Sequence, residues 1–349
     1  MKVLITGNMG YIGPSVVRQL RSAYPGVEIH GLDMGYFAHC LTNVQFLPEC
    51  LVDQQHFGDV RRVSDDLLRG YDAIVHLAAI SNDPMGNTFE AVTLAVNQQA
   101  SVDIARKAKQ AGVKHYVFAS SCSVYGAAEG GPRSEDAPLN PLTAYARSKI
   151  GTEQELRGLA SDDFVITCLR FATACGMSER LRLDLVLNDF VAGAVTAKRI
   201  TILSDGTPWR PLIHVKDMAR AMEWAVTRPA DTGGAFLTVN AGSDGWNYQV
   251  KELAEAVADA LSGVQIFINK DAPPDKRSYQ VDFAKFRALA PDHQPQVSLK
   301  EAVAGLVDGL HGMNFADANF RESQLIRLKV LAGHRAAGRL SDNLEWRMR

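Results

Sequence analysis

A chain of 349 residues with 46% hydrophobic and 22% charged side chains can bury a large core and needs no disulfide or metal staple to fold. A formal charge of −2 gives no general attraction to nucleic acid or to an anionic membrane, so any recognition of phosphate has to be local. Five cysteines without a C-x-x-C pair and nine histidines without H-E-x-x-H spacing point away from a structural metal and toward a reducing compartment.

The chain opens with residues 2–6, KVLIT, a short apolar run that ends in a glycine turn. SVVRQLRSAY follows with apolar residues at helical spacing, and VEIHGLD reads as a second strand, which completes a βαβ unit. No basic-then-apolar leader precedes the first strand, and no apolar run approaches the roughly 18 residues of a membrane span, so a cytoplasmic protein is expected. Gly7, Gly10 and Gly13 form G-x-x-G-x-x-G between strand and helix. Glycine suits a tight turn whose backbone approaches a pyrophosphate closely, while the helix start supplies unpaired N–H groups. Pro14 fits the first helical turn, where its missing donor has no partner to lose. Asp33 ends the second strand twenty residues after Gly13. A carboxylate there accepts from the adenosine ribose hydroxyls and repels a 2′-phosphate, which predicts NAD rather than NADP.

Further strand-like runs, DAIVHLAA, KHYVFASS, FVITCLRF and AFLTVN, alternate with helical stretches, the pattern of a parallel sheet covered on both faces. At the end of KHYVFASS stand Ser121, Cys122 and Ser123. If the strand continues, side chains alternate, so Ser121 and Ser123 share one face and Cys122 packs beneath as a small hydrophobe. Tyr145 and Lys149 lie four apart on a predicted helix and hence on one face, where an ammonium would favour the phenolate. After Asn240 the pattern changes to an amphipathic helix, NYQVKELAEAVADAL, and a second helix, SLKEAVAGLVDGL, opened by Ser298 and Glu301 at capping-box spacing. The segment from Phe320 to Arg349 carries seven Lys/Arg against three acidic residues and reads as a docked or solvated helix rather than a partner site.

Together these motifs resemble the extended short-chain dehydrogenase/reductase family, and within it the nucleotide-sugar epimerases and dehydratases. The resemblance implies an α/β fold: a Rossmann-type doubly wound parallel sheet with a smaller C-terminal substrate-binding lobe. The expected NAD-binding domain is 1–175 with 200–240 returning to it, the lobe is 176–199 and 241–312, and 313–349 is a helical tail. TGNMGYIG is similar to the family's pyrophosphate loop and implies Gly7, Gly10, Tyr11, Ile12 and Gly13 at the cofactor. GDVRR implies Asp59 and Val60 at the adenine; HLAA implies Leu77, Ala78 and Ala79 along the cofactor, with Ser81 near the sugar; Asn97 corresponds to a helix asparagine that organises the site. Ser121 falls on the catalytic hydroxyl, Tyr145 on the general acid/base and Lys149 on the residue that also holds the nicotinamide ribose. Arg210 in DGTPWRPLIHVKD and Arg277 in PDKRSYQVD resemble the arginines that grip a nucleotide diphosphate, Asn188 is a further candidate contact, and Ser123 is a secondary acid/base candidate.

Two departures bear on the reaction. Thr173 stands where many relatives place a substrate-binding asparagine before Gly-Pro. The triplet Ser121-Cys122-Ser123 holds no carboxylate where the 4,6-dehydratase branch carries an acidic pair, and the cysteine of the 3,5-epimerase branch would align with Ser123, not Cys122. The resemblance therefore implies a nucleotide-sugar 4-epimerase using NAD, with a keto-sugar reductase or atypical dehydratase as the alternative and a non-catalytic NAD-binding protein as the less favoured one. A nucleotide-diphosphate sugar is the implied partner, a homodimer the implied assembly, and no metal or nucleic acid is implied.

Overall fold

The computed structural model describes residues 1–128, 130–269 and 277–347. Pro274, Asp275 and Lys276 of the second arginine segment and the last two residues of the tail lie outside the described residues. The first strand, β1 (Lys2–Thr6), runs through the glycine turn into α1 (Gly13–Ala23) and back as β2 (Glu28–Asp33). There follow β3 (Gln54–Phe57), β4 (Ala73–His76), three helices α2 (Asp83–Thr88), α3 (Glu90–Leu94) and α4 (Ala100–Gln110), then β5 (His115–Ser121), α5 (Ala144–Arg157) and β6 (Val165–Phe171).

These strands are parallel and stand in the order β3-β2-β1-β4-β5-β6, with one more strand beyond β6, β10 (Phe236–Ala241). The order reverses between β1 and β4, and in such sheets the ligand crevice lies at the carboxyl ends of the strands beside that reversal. Alternate side chains serve opposite layers: Val3, Ile5, Val75 and Val117 pack with α1 and with α7 (Val215–Ala225), whereas Leu4, Ile74, Tyr116 and Phe118 pack with α4 and α5. Covering both faces is why these strands read as unbroken apolar runs.

The remainder builds a smaller body. A short strand β7 (Thr173–Cys175) pairs with β9 (Trp209–His214), which also pairs with β11 (Asn247–Gln249); β8 (Arg199–Ile202) pairs with β12 (Gln265–Ile268). Around them pack α6 (Val186–Ala197), α8 (Val250–Ala260) and α10 (Leu299–Gly312) with a separate apolar core that includes Leu187, Leu253 and Leu306. The capping box of α10 is present: Ser298 Oγ accepts from Glu301 N, and Glu301 takes the Ser298 N–H at 2.8 Å. The expected return of 200–240 to the main sheet needs correction. Residues 199–214 pair within the small sheets, and only α7 and β10 return. After α9 (Ala284–Leu289) and α10 the described part of the tail holds one α-helix, α11 (Arg327–Ala336), and a 3-10 turn at Phe320–Glu322; Leu331, Leu340 and Leu344 enter the core of the large body. Among the described residues no helix is long and apolar enough to cross a membrane.

The tight spot of this architecture is the glycine turn. A Cβ at Gly13 would stand 2.0 Å from the carbonyl oxygen of Asn8, so α1 lies directly on the turn that starts it. Gly13→Ala is expected to lower the unfolding free energy in urea titrations by at least about 1–3 kcal/mol. Gly305→Ala, on the exposed side of α10 with nothing within 4 Å of the new methyl, should raise it by roughly 0.5–1 kcal/mol.

Candidate active site

A cavity of about 130 Å³ opens at the carboxyl ends of β1, β2 and β4. Gly7, Gly10, Tyr11 and Ile12 line it from the glycine turn, Asp33 from the end of β2, Asp59 and Val60 from the turn after β3, and Leu77, Ala78, Ala79 and Ser81 from the chain after β4. Gly7 has φ +74°, and a Cβ there would lie 2.6 Å from Ala78 N, so the turn and the β4 end touch and only glycine fits. Asp33 accepts from Met9 N at 3.1 Å and Gly35 N at 2.7 Å. Burial pushes its carboxyl upward while those two N–H groups oppose the shift. One bond to each oxygen leaves lone pairs for ribose hydroxyls. Asp59 is held by Arg61, whose Nη2 donates at 2.5 Å.

Two residues expected at the cofactor, Gly13 and Asn97, stand behind the cavity lining. Gly13 lines neither of the two cavities described and serves the close packing of α1. Asn97, fully buried, sits in a π-helical turn, Ala95–Gln99, between α3 and α4. Its amide accepts from Ile80 N at 2.8 Å and donates to Ile80 O at 3.0 Å and Ser148 Oγ at 3.2 Å, which fixes the cavity wall at residue 80 to helix α5. Widened turns of this kind commonly mark functional sites.

The cavity runs into a larger cleft of about 580 Å³, with Tyr11, Ile12, Leu77, Ala79, Ser81 and Arg182 lining both. Into this cleft converge Ser121 from β5, Tyr145 and Lys149 from α5, Ser123, Thr173 from β7, Arg210 from β9 and Arg277. Helix α5 starts at Thr143, whose Oγ1 accepts from Ala146 N at 3.1 Å and donates to Asp83 at 2.7 Å. Asn188 is the exception. It is fully buried, its Oδ1 accepts from Gly176 N and its Nδ2 donates to Tyr11 Oη and Arg182 O. With those polar atoms engaged inside the small lobe, it braces the loop at Gly176 and is no contact for a diphosphate.

The hydroxyls behave as the alternation argument expects, by another route. The chain leaves the strand at Ser121 and enters a 3-10 turn over Cys122–Tyr125, with Ser123 N donating to Ser121 Oγ at 3.2 Å. Cys122 is nevertheless fully buried; its thiol donates to Arg170 O, and burial pushes its pKa well up, so it is a poor nucleophile. Ser121 hydrogen-bonds to the Tyr145 phenol.

The charge argument at Tyr145 does need correction. Burial pushes the phenol up to about 12, against the Ser121 hydrogen bond, and Lys149 is not what governs it. Lys149 is itself pressed down from 10.5 to about 7 by burial, with Glu153 opposing. Its Nζ donates to Ala119 O at 2.7 Å and lies 5.6 Å from the Tyr145 ring centroid. The protein's own groups thus keep tyrosine protonated and bring the lysine to titrate near pH 7.

Residues absent from the sequence reading complete the site. Glu153, four after Lys149, accepts from Ser120 Oγ at 2.5 Å and from Arg170 at 2.7 and 3.0 Å, all buried. The repeated spacing of four was its available signal. Asp83 receives Arg277, Asp184 receives Arg182, and Asp189 receives Arg321, so each carboxylate lining the cleft among the described residues is held by an arginine. Among the described residues no group of three His, Cys, Asp or Glu is arranged to hold a metal ion.

Residues 3–242 match the NAD dependent epimerase/dehydratase family. The chain is 30% identical to the uncharacterized UDP-glucose epimerase YtcB of Bacillus subtilis, over 87% of this chain and 96% of that one. It is 29% identical to a UDP-glucose 4-epimerase of Mycolicibacterium smegmatis, over 88% and 98%. Its fold is similar to that of MoeE5, solved in complex with UDP-glucose and NAD, with a TM-score of 0.75, 26% identity, and 89% and 99% of the two chains covered.

Lys149 should leave a mark on stability. Between about 7 and 10.5 the unfolded lysine is protonated and the folded one is not, so the unfolded state binds more protons and stability rises with pH; below about 7 the cost is complete and constant. Without cofactor, wild type is expected to gain more stability from pH 7 to pH 9 than Lys149→Met does in parallel urea titrations. The hydroxyl assignment is tested by kinetics at equal folded fraction: Ser121→Ala should lose at least about tenfold in turnover, while Cys122→Ala should retain most of it and lose stability instead.

Proposed function

The chain belongs to the NAD dependent epimerase/dehydratase family, and from that premise we propose that it is a nucleotide-sugar 4-epimerase. The reading rests on Ser121, Tyr145 and Lys149 converging where the glycine-turn cavity meets the large cleft. It is supported by the triplet Ser121-Cys122-Ser123, which holds no carboxylate where loss of water would require an acidic pair. NAD, when bound, accepts and returns hydride, and its cationic ring offsets the burial that holds the Tyr145 phenol high. Tyr145, aligned by Ser121, exchanges the proton of the sugar hydroxyl that becomes a carbonyl. Lys149, fixed by the Ala119 carbonyl, orients the ribose side and supplies positive charge when protonated. Asp33 takes the adenosine ribose and favours NAD over NADP.

The division of labour follows the two bodies. The large sheet with its glycine turn serves the cofactor, and the small lobe closes over the nucleotide sugar. Arg210 and Arg277, both lining the cleft, are assigned to the diphosphate, with Ser81, Ser123 and Thr173 at the sugar. UDP-sugars are the first candidates, in line with the names of the similar proteins. The proposal includes a cytoplasmic homodimer; the five cysteines, free in the structure, suit a reducing compartment.

Incubated with NAD and UDP-glucose or UDP-galactose, the protein is expected to form the 4-epimer without net NADH, as read by NMR. A 4-keto product carrying solvent deuterium at C5 would instead identify a dehydratase. Tyr145→Phe should bind NAD unchanged and lose about 10²–10⁴-fold in turnover.

A further inference from the structure

The C-terminal segment lies outside the residues that match the family, yet one of its residues, Arg327, lines the dinucleotide cavity. The segment is sewn to the adenosine side of that cavity. Trp346 Nε1 donates to Met34 O at 2.7 Å, Tyr36 Oη donates to Leu344 O, and Arg61 Nη1 donates to Asn343 O at 2.8 Å. Arg62 pairs with Glu345 at 2.5 Å. From this segment Arg327, the first residue of α11, reaches the cavity that Gly7, Gly10 and Asp33 also line.

Arg327 is 1% exposed, a cation deep in the protein. Its Nη2 donates to Arg180 O at 2.6 Å and its guanidinium lies 4.6 Å from the Phe37 ring centroid, but its Nη1 has no hydrogen-bond partner. The two arginines nearest it are balanced: Arg180 by Glu49 at 2.7 Å and Arg182 by Asp184 at 2.8 Å. Among the described residues no carboxylate pairs with Arg327. Burial, together with the cations of Arg182 and Arg180, presses its pKa down to about 10, while Cys40 and Asp184 oppose the shift. A buried guanidinium without a counter-ion is costly unless an anion is meant to join it.

We propose that Arg327 is that anion's ligand, donating to the pyrophosphate of the bound dinucleotide, so that the C-terminal segment is part of the cofactor site. Phosphate chemistry could also come from a 2′-phosphate, but Asp33 in the same cavity repels one, and the glycine turn beside it is built for a pyrophosphate. The segment is then a strap whose charge is matched only in the holoprotein.

The proposal rests on the NAD reading, and calorimetric titration of wild type with NAD separates the two: no binding at all defeats that reading, whereas binding indifferent to Arg327 defeats only this one. Arg327→Met is expected to weaken NAD and ADP-ribose by at least about tenfold, to leave adenosine unchanged, and to weaken NADP by the same factor as NAD. Because the cation is unmatched without ligand, the cofactor-free variant should melt no lower than wild type, while the rise in melting temperature on adding NAD should shrink. Arg327→Lys, which keeps the charge, should recover most of the NAD affinity. An unchanged NAD affinity, a loss confined to NADP, an equal loss for adenosine, a cofactor-free Met variant that melts lower or does not fold, or a Lys variant as weak as the Met variant would each overturn it.

Discussion

The carboxylate of Glu153 ties helix α5 to the sheet, and the geometry of the site hangs on it. It lies four residues beyond Lys149 on the buried face of α5 and takes hydrogen bonds from Ser120 on β5 and from Arg170 on β6. Arg170 in turn donates to Tyr125 Oη, which donates to Asn240 on β10. A buried ion pair of this kind is a weak source of net stability, since desolvation offsets most of the attraction, but its members cannot move independently without leaving a charge unpaired. The spacing between α5, which carries Tyr145 and Lys149, and β5, which carries Ser121, is thereby set from beneath. On its other side α5 is held by Asn97, which joins Ser148 to Ile80 in the chain after β4.

On this frame the cavity and the cleft are consequences of chain reversal. The strand order turns outward on both sides of β1 and β4, so the loops after those strands part and leave the crevice. The glycine turn fills its floor because any larger residue at Gly7 would strike Ala78. The crevice is also where burial is allowed to work against ionisation. Tyr145 is pushed up and Lys149 down by the same desolvation.

The small lobe meets the large one through paired charges rather than through one continuous core. Arg277 to Asp83 and Arg180 to Glu49 cross from one to the other, Tyr11 of the glycine turn enters the small lobe's core, and Ile12 and Ala174 pack against both cores. Such a boundary opens at little cost in apolar burial, as a cleft that admits a large polar ligand requires.

Much of the fold and the centre of the site was legible in the chain because the signals are local. Strand and helix periodicity, the three glycines before α1, Asp33 twenty residues later and Tyr145 four before Lys149 are each set within one element or one turn, where backbone geometry alone dictates which side chains share a face. That is why the sheet, its covering on both faces and the convergence of Ser121, Tyr145 and Lys149 could be anticipated. Asn188, by contrast, reads as a candidate diphosphate contact until the packing of the small lobe shows its amide spent on Gly176, Tyr11 and Arg182. The pairing of 199–214 with the small sheets, the burial that reverses the expected charge effect at Tyr145, and the arrival of Arg327 beside the glycine turn all join residues far apart in the chain. Periodicity and spacing carry no record of such contacts, because desolvation and charge pairing depend on what the folded chain brings within a few ångströms, and only the tertiary structure decides that.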